Sequence, residues 1–273
     1  MKVLVKEKIA ESGIDLLREH FDVELGLDWD NGQLEERIGE YDAILIRSAT
    51  KLTADLIGKA DNLKVIGRAG TGVDNVDIEA ATKRGIIVAN APESNSIAAA
   101  EHTLALALAL CRNVPQAHAS LVSGKWERSR FGGNELYGKT LGVIGFGRIG
   151  QLVASRALAF DMEVIAFDKF VTTERFRELG VEGADSLDEL YERADIITLH
   201  VPKTPETEGM IDDDAIAKMR DGVRIVNCAR GPLIDLEALQ RGLESGKIAG
   251  AALDVFPEEP FTEHPIFERD DVV

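Results

Sequence analysis

The sequence predicts an α/β protein built from two doubly wound parallel sheets with helices on both faces. Short apolar runs recur along the chain, and they are continuous rather than alternating, as strands of a parallel sheet covered on both faces require. Helix-length segments lie between these runs. The runs form two series separated near residues 91–96, which predicts two similar domains.

The first series predicts a domain over residues 1–96. Its apolar runs are 3–5, 43–46, 63–66 and 85–88. Pro92, Asn95 and Ser96 then break the pattern and are suited to begin a long helix, from Ile97 to about Arg112. This helix is rich in Ala and Leu, which indicates a buried position.

The second series predicts a domain over residues 97–273. Its apolar runs are 141–144, 164–167, 196–199, 223–226 and 249–253. Ser186 and Glu189 have the spacing of a capping box. Asp235 can cap a helix that runs through Leu243, and Gly246 can close it.

Composition excludes several classes of function. The chain has 48 acidic and 31 basic residues and a formal net charge of −17, which disfavours binding to nucleic acid. Cys111 and Cys228 lie in apolar stretches and read as buried thiols, with no disulfide and no metal site. Charged residues follow Val5 at once and no apolar run approaches the ~20 residues of a membrane span, so we expect a cytoplasmic protein without membrane partners.

A glycine-rich turn, Gly145-Phe146-Gly147-Arg148-Ile149-Gly150, follows the run 141–144 and opens a helix. Gly145 permits a tight turn, Gly147 lets the backbone approach a pyrophosphate, and Gly150 allows close packing of helix and strand. The next apolar run ends in Asp168, 18 residues after Gly150, where a carboxylate accepts hydrogen bonds from ribose hydroxyls and repels a 2′-phosphate. This context predicts dinucleotide binding, with NAD favoured over NADP.

Ligands of open α/β sheets bind beyond the carboxyl ends of the strands. Within the glycine-rich turn, Arg148 and Ile149 are also candidate cofactor contacts. The strand-end rule adds Pro202, Thr207, Cys228, Ala229, Arg230 and Asp254. The sequence does not distinguish Thr207 from an ordinary surface threonine. His102 is more typical of a helix histidine that is hydrogen-bonded within the protein than of a ligand.

The chain resembles the D-2-hydroxyacid dehydrogenases over nearly its whole length. The similarity rests on six separate blocks in the family's order, namely residues 47–50 (RSAT), 67–77 (GRAGTGVDNVD), 124–128 (GKWER), 145–150, 227–232 (NCARGP) and 254–260 (DVFPEEP). The resemblance implies a flavodoxin-like substrate domain, a Rossmann NAD-binding domain and a homodimer formed through the latter.

The resemblance also implies roles for individual residues. Arg230 resembles the arginine that holds the carboxylate and keto oxygen of the substrate, and Glu259 the acid that supports a catalytic histidine. Gly70, Thr71 and Gly72 resemble the turn whose N–H groups bind the substrate carboxylate. Arg47 resembles a contact to a substrate phosphate. Arg128 and Arg130 either contribute to substrate binding from the loop that contains GKWER or are solvated surface residues.

The family's catalytic histidine follows a strand that would begin where residue 273 stands, and His20, His102, His118, His200 and His264 do not fit its place. We therefore expect a portion of a longer enzyme whose activity is impaired at this length. The implied reaction is NAD-dependent oxidation of a phosphorylated D-2-hydroxy acid at the start of serine synthesis. The alternatives are a dehydrogenase or reductase for another D-2-hydroxy acid or its 2-oxo acid, such as glycerate, glyoxylate, hydroxypyruvate or lactate, and an NAD-sensing binding protein.

Overall fold

The computed structural model describes all 273 residues and divides the chain into two compact units, Met1–Ser96 and Ile97–Val273. Each unit contains one sheet in which every strand pair is parallel. No single helix has the length and apolar character to cross a membrane. One pair passes that test only when taken together, Ser96–Arg112 with Val114–Val122, and it is bent by 62°.

The first unit has five strands in the order β2-β1-β3-β4-β5, which is the flavodoxin-like order. The strands are β1 (Lys2–Val5), β2 (Asp22–Leu25), β3 (Ala43–Ile46), β4 (Val65–Arg68) and β5 (Ile87–Asn90). The helices are α1 (Glu11–Arg18), α2 (Asn31–Arg37), α3 (Ala54–Lys59) and α4 (Ile78–Lys83). Fully buried strand residues such as Leu4, Ile44 and Ile66 form the core with helix residues such as Leu34 and Ile57.

The second unit has six strands in the order β11-β10-β9-β6-β7-β8, with β6 beside β9 at the centre. This is the Rossmann order. The strands are β6 (Thr140–Ile144), β7 (Glu163–Phe167), β8 (Glu182–Gly183), β9 (Ile196–Leu199), β10 (Val223–Asn227) and β11 (Ile248–Leu253). The helices are α5 (Ser96–Arg112), α6 (Val114–Val122), α7 (Arg148–Leu158), α8 (Thr173–Glu178), α9 (Leu187–Arg193), α10 (Asp213–Lys218) and α11 (Leu236–Glu244), and α5 begins at the last residue of the first unit.

The predicted fold class is confirmed, but some elements were missed or displaced. Strand β2 was not predicted, because this edge strand, DVEL, is only partly buried and carries two acids instead of a continuous apolar run. Strand β8 was not predicted because it has two residues. Strands β4 and β5 begin two residues later than predicted, since Leu63 and Ile86 are buried before the strand pairing starts.

The predicted helix ends are mostly confirmed. The Asp235 side chain accepts a hydrogen bond from the Ala238 N–H at 3.0 Å, and α11 ends one residue beyond the predicted Leu243. The capping box at α9 forms only in half. Ser186 Oγ accepts from the Glu189 N–H, but the Glu189 carboxylate accepts from the Asp185 N–H instead of that of Ser186.

A histidine of the second unit makes stability depend on pH. His200 follows β9 and is half-buried, and its Nε2 lies 3.0 Å from Thr198 Oγ1. Burial lowers the pKa of His200 from 6.5 to about 4. The unfolded chain therefore binds a proton in this window that the folded chain does not, so the free energy of unfolding falls as pH drops from 6.5 towards 4, by up to ~3 kcal/mol.

We expect His200→Gln to reduce this pH dependence, because a glutamine side chain does not bind a proton in this pH range. Urea denaturation at pH 7, 6 and 5 measures it. His20→Gln, which changes an exposed histidine, is the control. Equal pH dependence in wild type and His200→Gln would contradict the assignment.

Candidate cofactor and substrate sites

The turn after β6 brings backbone segments unusually close together. Gly145 has φ of +92°, in the left-handed region that favours glycine, and a Cβ there would lie 2.6 Å from the His200 carbonyl oxygen. A Cβ at Gly150 would overlap the Gly145 carbonyl. Gly147, in contrast, faces open space. Gly145 and Gly150 thus allow α7 to pack closely against the strands, and Gly147 leaves room for a ligand beside the turn.

The N-terminus of α7 has no side-chain cap. Its N-cap is Gly147, whereas seven other helices of the chain are capped by an Asp, Ser or Thr side chain. The first N–H groups of α7 are therefore available to an anion. Arg148 is exposed and Ile149 half-buried at this helix start. These features fit a dinucleotide pyrophosphate, as the sequence predicts.

Asp168 follows β7 and is tied to the same turn. Its Oδ2 accepts a hydrogen bond from the Phe146 N–H at 2.7 Å, and Oδ1 accepts from the Phe170 N–H at 2.8 Å. Each carboxylate oxygen can accept a second hydrogen bond, so the ribose role remains open to it. The sequence analysis did not anticipate that Asp168 also fixes the glycine-rich turn.

The loop after β9 is closed by its own hydrogen bonds. Thr207 Oγ1 accepts from the Thr204 N–H at 2.8 Å and lies 2.7 Å from the Pro202 carbonyl, to which it donates its single proton. Pro202 itself is exposed. In this structure the Thr207 hydroxyl therefore stabilises its own loop. To donate a hydrogen bond to a phosphate, it would have to break its hydrogen bond to the Pro202 carbonyl.

Asn227 shapes the loop after β10 that carries Arg230. Its side chain donates to the Arg230 carbonyl at 2.9 Å and accepts from the Ala229 N–H at 3.0 Å. Arg230 is half-buried, and its Nη1 donates to the Ala229 carbonyl at 2.6 Å. A Cβ at Gly231 would overlap the backbone of Phe256, so the loops after β10 and β11 pack backbone to backbone.

Cys228 lies in the Arg230 loop and is half-buried rather than fully buried as predicted. Burial raises the pKa of its thiol to about 11. Cys228 is therefore a protonated, neutral thiol near neutral pH. Cys111 is buried, and both cysteines are free.

The loop after β11 carries Asp254 and Glu259. Asp254 Oδ1 lies 3.0 Å from His102 Nε2 on α5, a pairing that the sequence analysis did not propose. The two residues are 152 positions apart, so only their separate placement on a helix and a strand end could have suggested it. Glu259 is exposed; its Oε1 accepts from the Phe256 N–H at 3.2 Å, and Oε2 makes no hydrogen bond within the chain.

In the first unit, the predicted carboxylate-binding turn follows β4. Thr71 Oγ1 donates to Asn95 Oδ1 at 2.6 Å, and Asn90 donates to the Thr71 carbonyl at 2.7 Å. Gly70 is buried and Gly72 half-buried. A Cβ at Gly70 would overlap the guanidinium of Arg68, which places this half-buried cation against the turn. No role was predicted for Arg68, whose place at a strand end is its only sequence signal.

The remaining predicted arginines differ in their partners. Arg47, on the loop after β3, is exposed, and its guanidinium makes no hydrogen bond or ion pair within the chain. Arg130 pairs with Asp270 and Glu127. Arg128 is exposed on the short helical turn Arg128–Phe131. No group of three or more His, Cys, Asp or Glu side chains could hold a metal ion.

Comparison with known proteins places this geometry in a family. Residues 104–273 match the model of the D-isomer specific 2-hydroxyacid dehydrogenase NAD binding domain. A D-3-phosphoglycerate dehydrogenase of Methanocaldococcus jannaschii is 52% identical over 273 residues, which are 100% of this chain and 52% of that protein. The chain thus spans about half the length of the curated relatives it matches.

Solved structures agree over both units. The TT0316 protein from Thermus thermophilus has a TM-score of 0.91 at 37% identity, covering 100% of this chain and 88% of that one. A glyoxylate reductase from Paecilomyes thermophila has a TM-score of 0.92 at 31% identity, covering 100% and 86%. The chain belongs to the D-isomer-specific 2-hydroxyacid dehydrogenases, and residues 104–273 are the NAD-binding domain of that family.

Proposed function

We propose that the protein catalyses the NAD-dependent oxidation of D-3-phosphoglycerate to 3-phosphohydroxypyruvate, the first step of serine synthesis. The observation that carries this proposal is the 52% identity to a D-3-phosphoglycerate dehydrogenase along the whole of this chain. The uncapped start of α7, the open space at Gly147 and the Asp168 carboxylate support NAD as the oxidant.

In the proposed reaction, bound NAD supplies the hydride acceptor for the C2 hydrogen of the substrate, while the hydroxyl proton leaves to a general base. Arg230 holds the carboxylate and the C2 oxygen, which suits a planar guanidinium. Its loop is fixed by Asn227 and Gly231, so the cation is presented at a defined position. Glu259 keeps Oε2 free to orient the histidine that the family uses as base.

Residues of the first unit supply recognition in this proposal. The N–H groups of Gly70, Thr71 and Gly72 bind the substrate carboxylate, and Arg47 binds the phosphate. The exposed Arg47 guanidinium has no protein partner to leave before it binds an anion. With a net charge of −17, the molecule repels anions as a whole, so such unpaired cations must provide the local attraction.

A second candidate substrate class is an unphosphorylated 2-oxo acid. It is favoured by the structural similarity to a glyoxylate reductase. A pure NAD sensor is less well supported, since Arg230 and its fixed loop would have no use in sensing. Substrate preference separates the two proposed enzyme functions.

The substrate assignment predicts that the protein consumes NADH faster with 3-phosphohydroxypyruvate than with hydroxypyruvate. Arg47→Ala should lower kcat/KM for the phosphorylated acid by ~100-fold and for the unphosphorylated acid by less than ~3-fold, because it removes a phosphate contact. Arg18→Ala, an exposed arginine on α1, is the control. Equal loss with both substrates would refute the phosphate role.

The cofactor assignment predicts that Asp168→Ala weakens NADH binding by ~10-fold or more and reduces discrimination against NADPH, since the carboxylate that repels a 2′-phosphate is gone. Titration of NADH and NADPH fluorescence measures both effects. Asp188→Ala, which removes a surface carboxylate elsewhere in the second unit, should change neither. Unaltered affinities in Asp168→Ala would remove Asp168 from the site.

We also propose that the protein is a homodimer formed through its second unit. Helix α6 and the loop after it expose large apolar side chains, with Val122 at 74% and Trp126 at 83% exposure. Such clusters typically mark protein interfaces. Arg128 and Arg130 lie on the turn that follows, so a dimer would place them close to this interface.

The dimer proposal predicts that Val122→Glu lowers the molar mass in solution from two chains to one, because it places a charge in an apolar contact. Light scattering coupled to gel filtration measures this. Leu16→Glu, at a comparably exposed residue of α1, should leave the mass unchanged. A wild-type protein that is already monomeric would contradict the proposal.

A further inference from the structure

We infer that Glu7 and Asn75 are positioning residues that select for a phosphorylated substrate by clamping the backbone of the 47–50 loop and so presenting Arg47. This inference rests on the proposed function, in which Arg47 contacts the substrate phosphate. The 47–50 loop, Arg47-Ser48-Ala49-Thr50, follows β3 directly. Its fixed shape comes from residues far away in the sequence.

Glu7 binds the amide side of this loop. It lies two residues after β1, is half-buried, and accepts hydrogen bonds from three of the loop's four N–H groups. Oε1 accepts from Arg47 at 2.8 Å and Thr50 at 2.9 Å, and Oε2 accepts from Ala49 at 3.2 Å. Burial alone would raise the pKa of Glu7, but these hydrogen bonds outweigh it and the pKa is lowered, so the acceptor is a carboxylate.

Asn75 binds the carbonyl side of the same loop. Its Nδ2 donates to the Arg47 carbonyl at 2.7 Å and to the Thr50 carbonyl at 2.6 Å, which are the two ends of the loop. The backbone of Asn75 adds a third tie, because its carbonyl accepts from the Leu52 N–H at 2.8 Å. An ionised carboxylate can only accept and an amide nitrogen can only donate, so the two side chains divide the loop's polar groups between them.

The backbone of Arg47 is therefore fixed while its side chain is not. Arg47 donates its N–H to Glu7 and accepts at its carbonyl from Asn75, whereas the guanidinium is exposed and has no partner within the chain. A cation held in this way loses less conformational freedom when an anion binds it. The clamp thus acts on recognition of a charged group rather than on a catalytic atom.

The same short segment also carries the proposed carboxylate turn. Gly70-Thr71-Gly72 and Asn75 are separated by two residues in the run that follows β4. The Asn75 side chain therefore ties the 47–50 loop to the segment that carries the carboxylate turn. An unphosphorylated acid uses the turn but not the Arg47 guanidinium, so loss of this tie affects recognition of the phosphorylated acid.

The test compares Asn75→Ala and Glu7→Gln with two matched controls. Asn62→Ala removes a similar amide-to-carbonyl bond, from Asn62 Nδ2 to the Gly39 carbonyl at 2.6 Å, in another loop of the first unit. Glu36→Gln removes an exposed carboxylate from α2. Thermal unfolding identifies any variant that is merely destabilised, and if Glu7→Gln does not fold, Asn75→Ala carries the test.

We expect Asn75→Ala and Glu7→Gln to raise KM for 3-phosphohydroxypyruvate by ~10-fold, while kcat, kcat/KM for hydroxypyruvate and the Kd for NADH change by less than ~2-fold. The controls should change none of these values. In an Arg47→Ala background, Asn75→Ala should have little further effect on KM for the phosphorylated acid, since it acts through Arg47.

Two outcomes would overturn the inference, and neither resembles failure of the proposed function. One is an equal fall of kcat/KM for both acids in Asn75→Ala, which indicates a general structural role. The other is an Arg47→Ala variant that loses phosphate preference while Asn75→Ala and Glu7→Gln keep it. If Arg47→Ala itself keeps that preference, the phosphate assignment and the inference resting on it both fail.

Discussion

Every strand pair in this protein is parallel, and the arrangement of its chemistry depends on that constraint. Parallel neighbours cannot be joined by a tight turn, so each connection must cross back over the sheet, usually through a helix. The carboxyl ends of the strands of a sheet consequently lie at one edge. In the second unit this edge bears the glycine turn, Asp168, the Arg230 loop and Asp254, and in the first unit it bears Arg47 and the turn at Gly70.

The same constraint explains how much the sequence could predict. Most of the strands are continuous apolar runs, so nine of them could be placed, and the residues after them could be named as candidates. The partly buried edge strand β2 carries two acids and gives no such run. The glycine motif could be read because its spacing carries its geometry, whereas Arg68 was overlooked since one arginine at a strand end has no spacing to mark it.

Long-range hydrogen bonds were beyond prediction for a different reason. Glu7 and Thr50 are 43 positions apart, and His102 and Asp254 are 152 apart. The packing of elements that are distant in sequence decides such pairs, and no local pattern encodes it. No motif or hydrophobic pattern in the sequence around Glu7 or Asn75 distinguishes these residues from other loop residues. Their importance depends on which backbone groups the fold places within hydrogen-bonding distance of them.

The backbone contact between Gly231 and Phe256 limits which sequence changes this protein tolerates during evolution. There is no room for even one methyl group at Gly231, between the loop that carries Arg230 and the loop that carries Glu259. An insertion or a bulkier residue in one loop must be matched by a change in the other. The two segments are therefore expected to be inherited as a unit, and recombination between distant relatives should succeed more often when its crossover points lie outside residues 230–259.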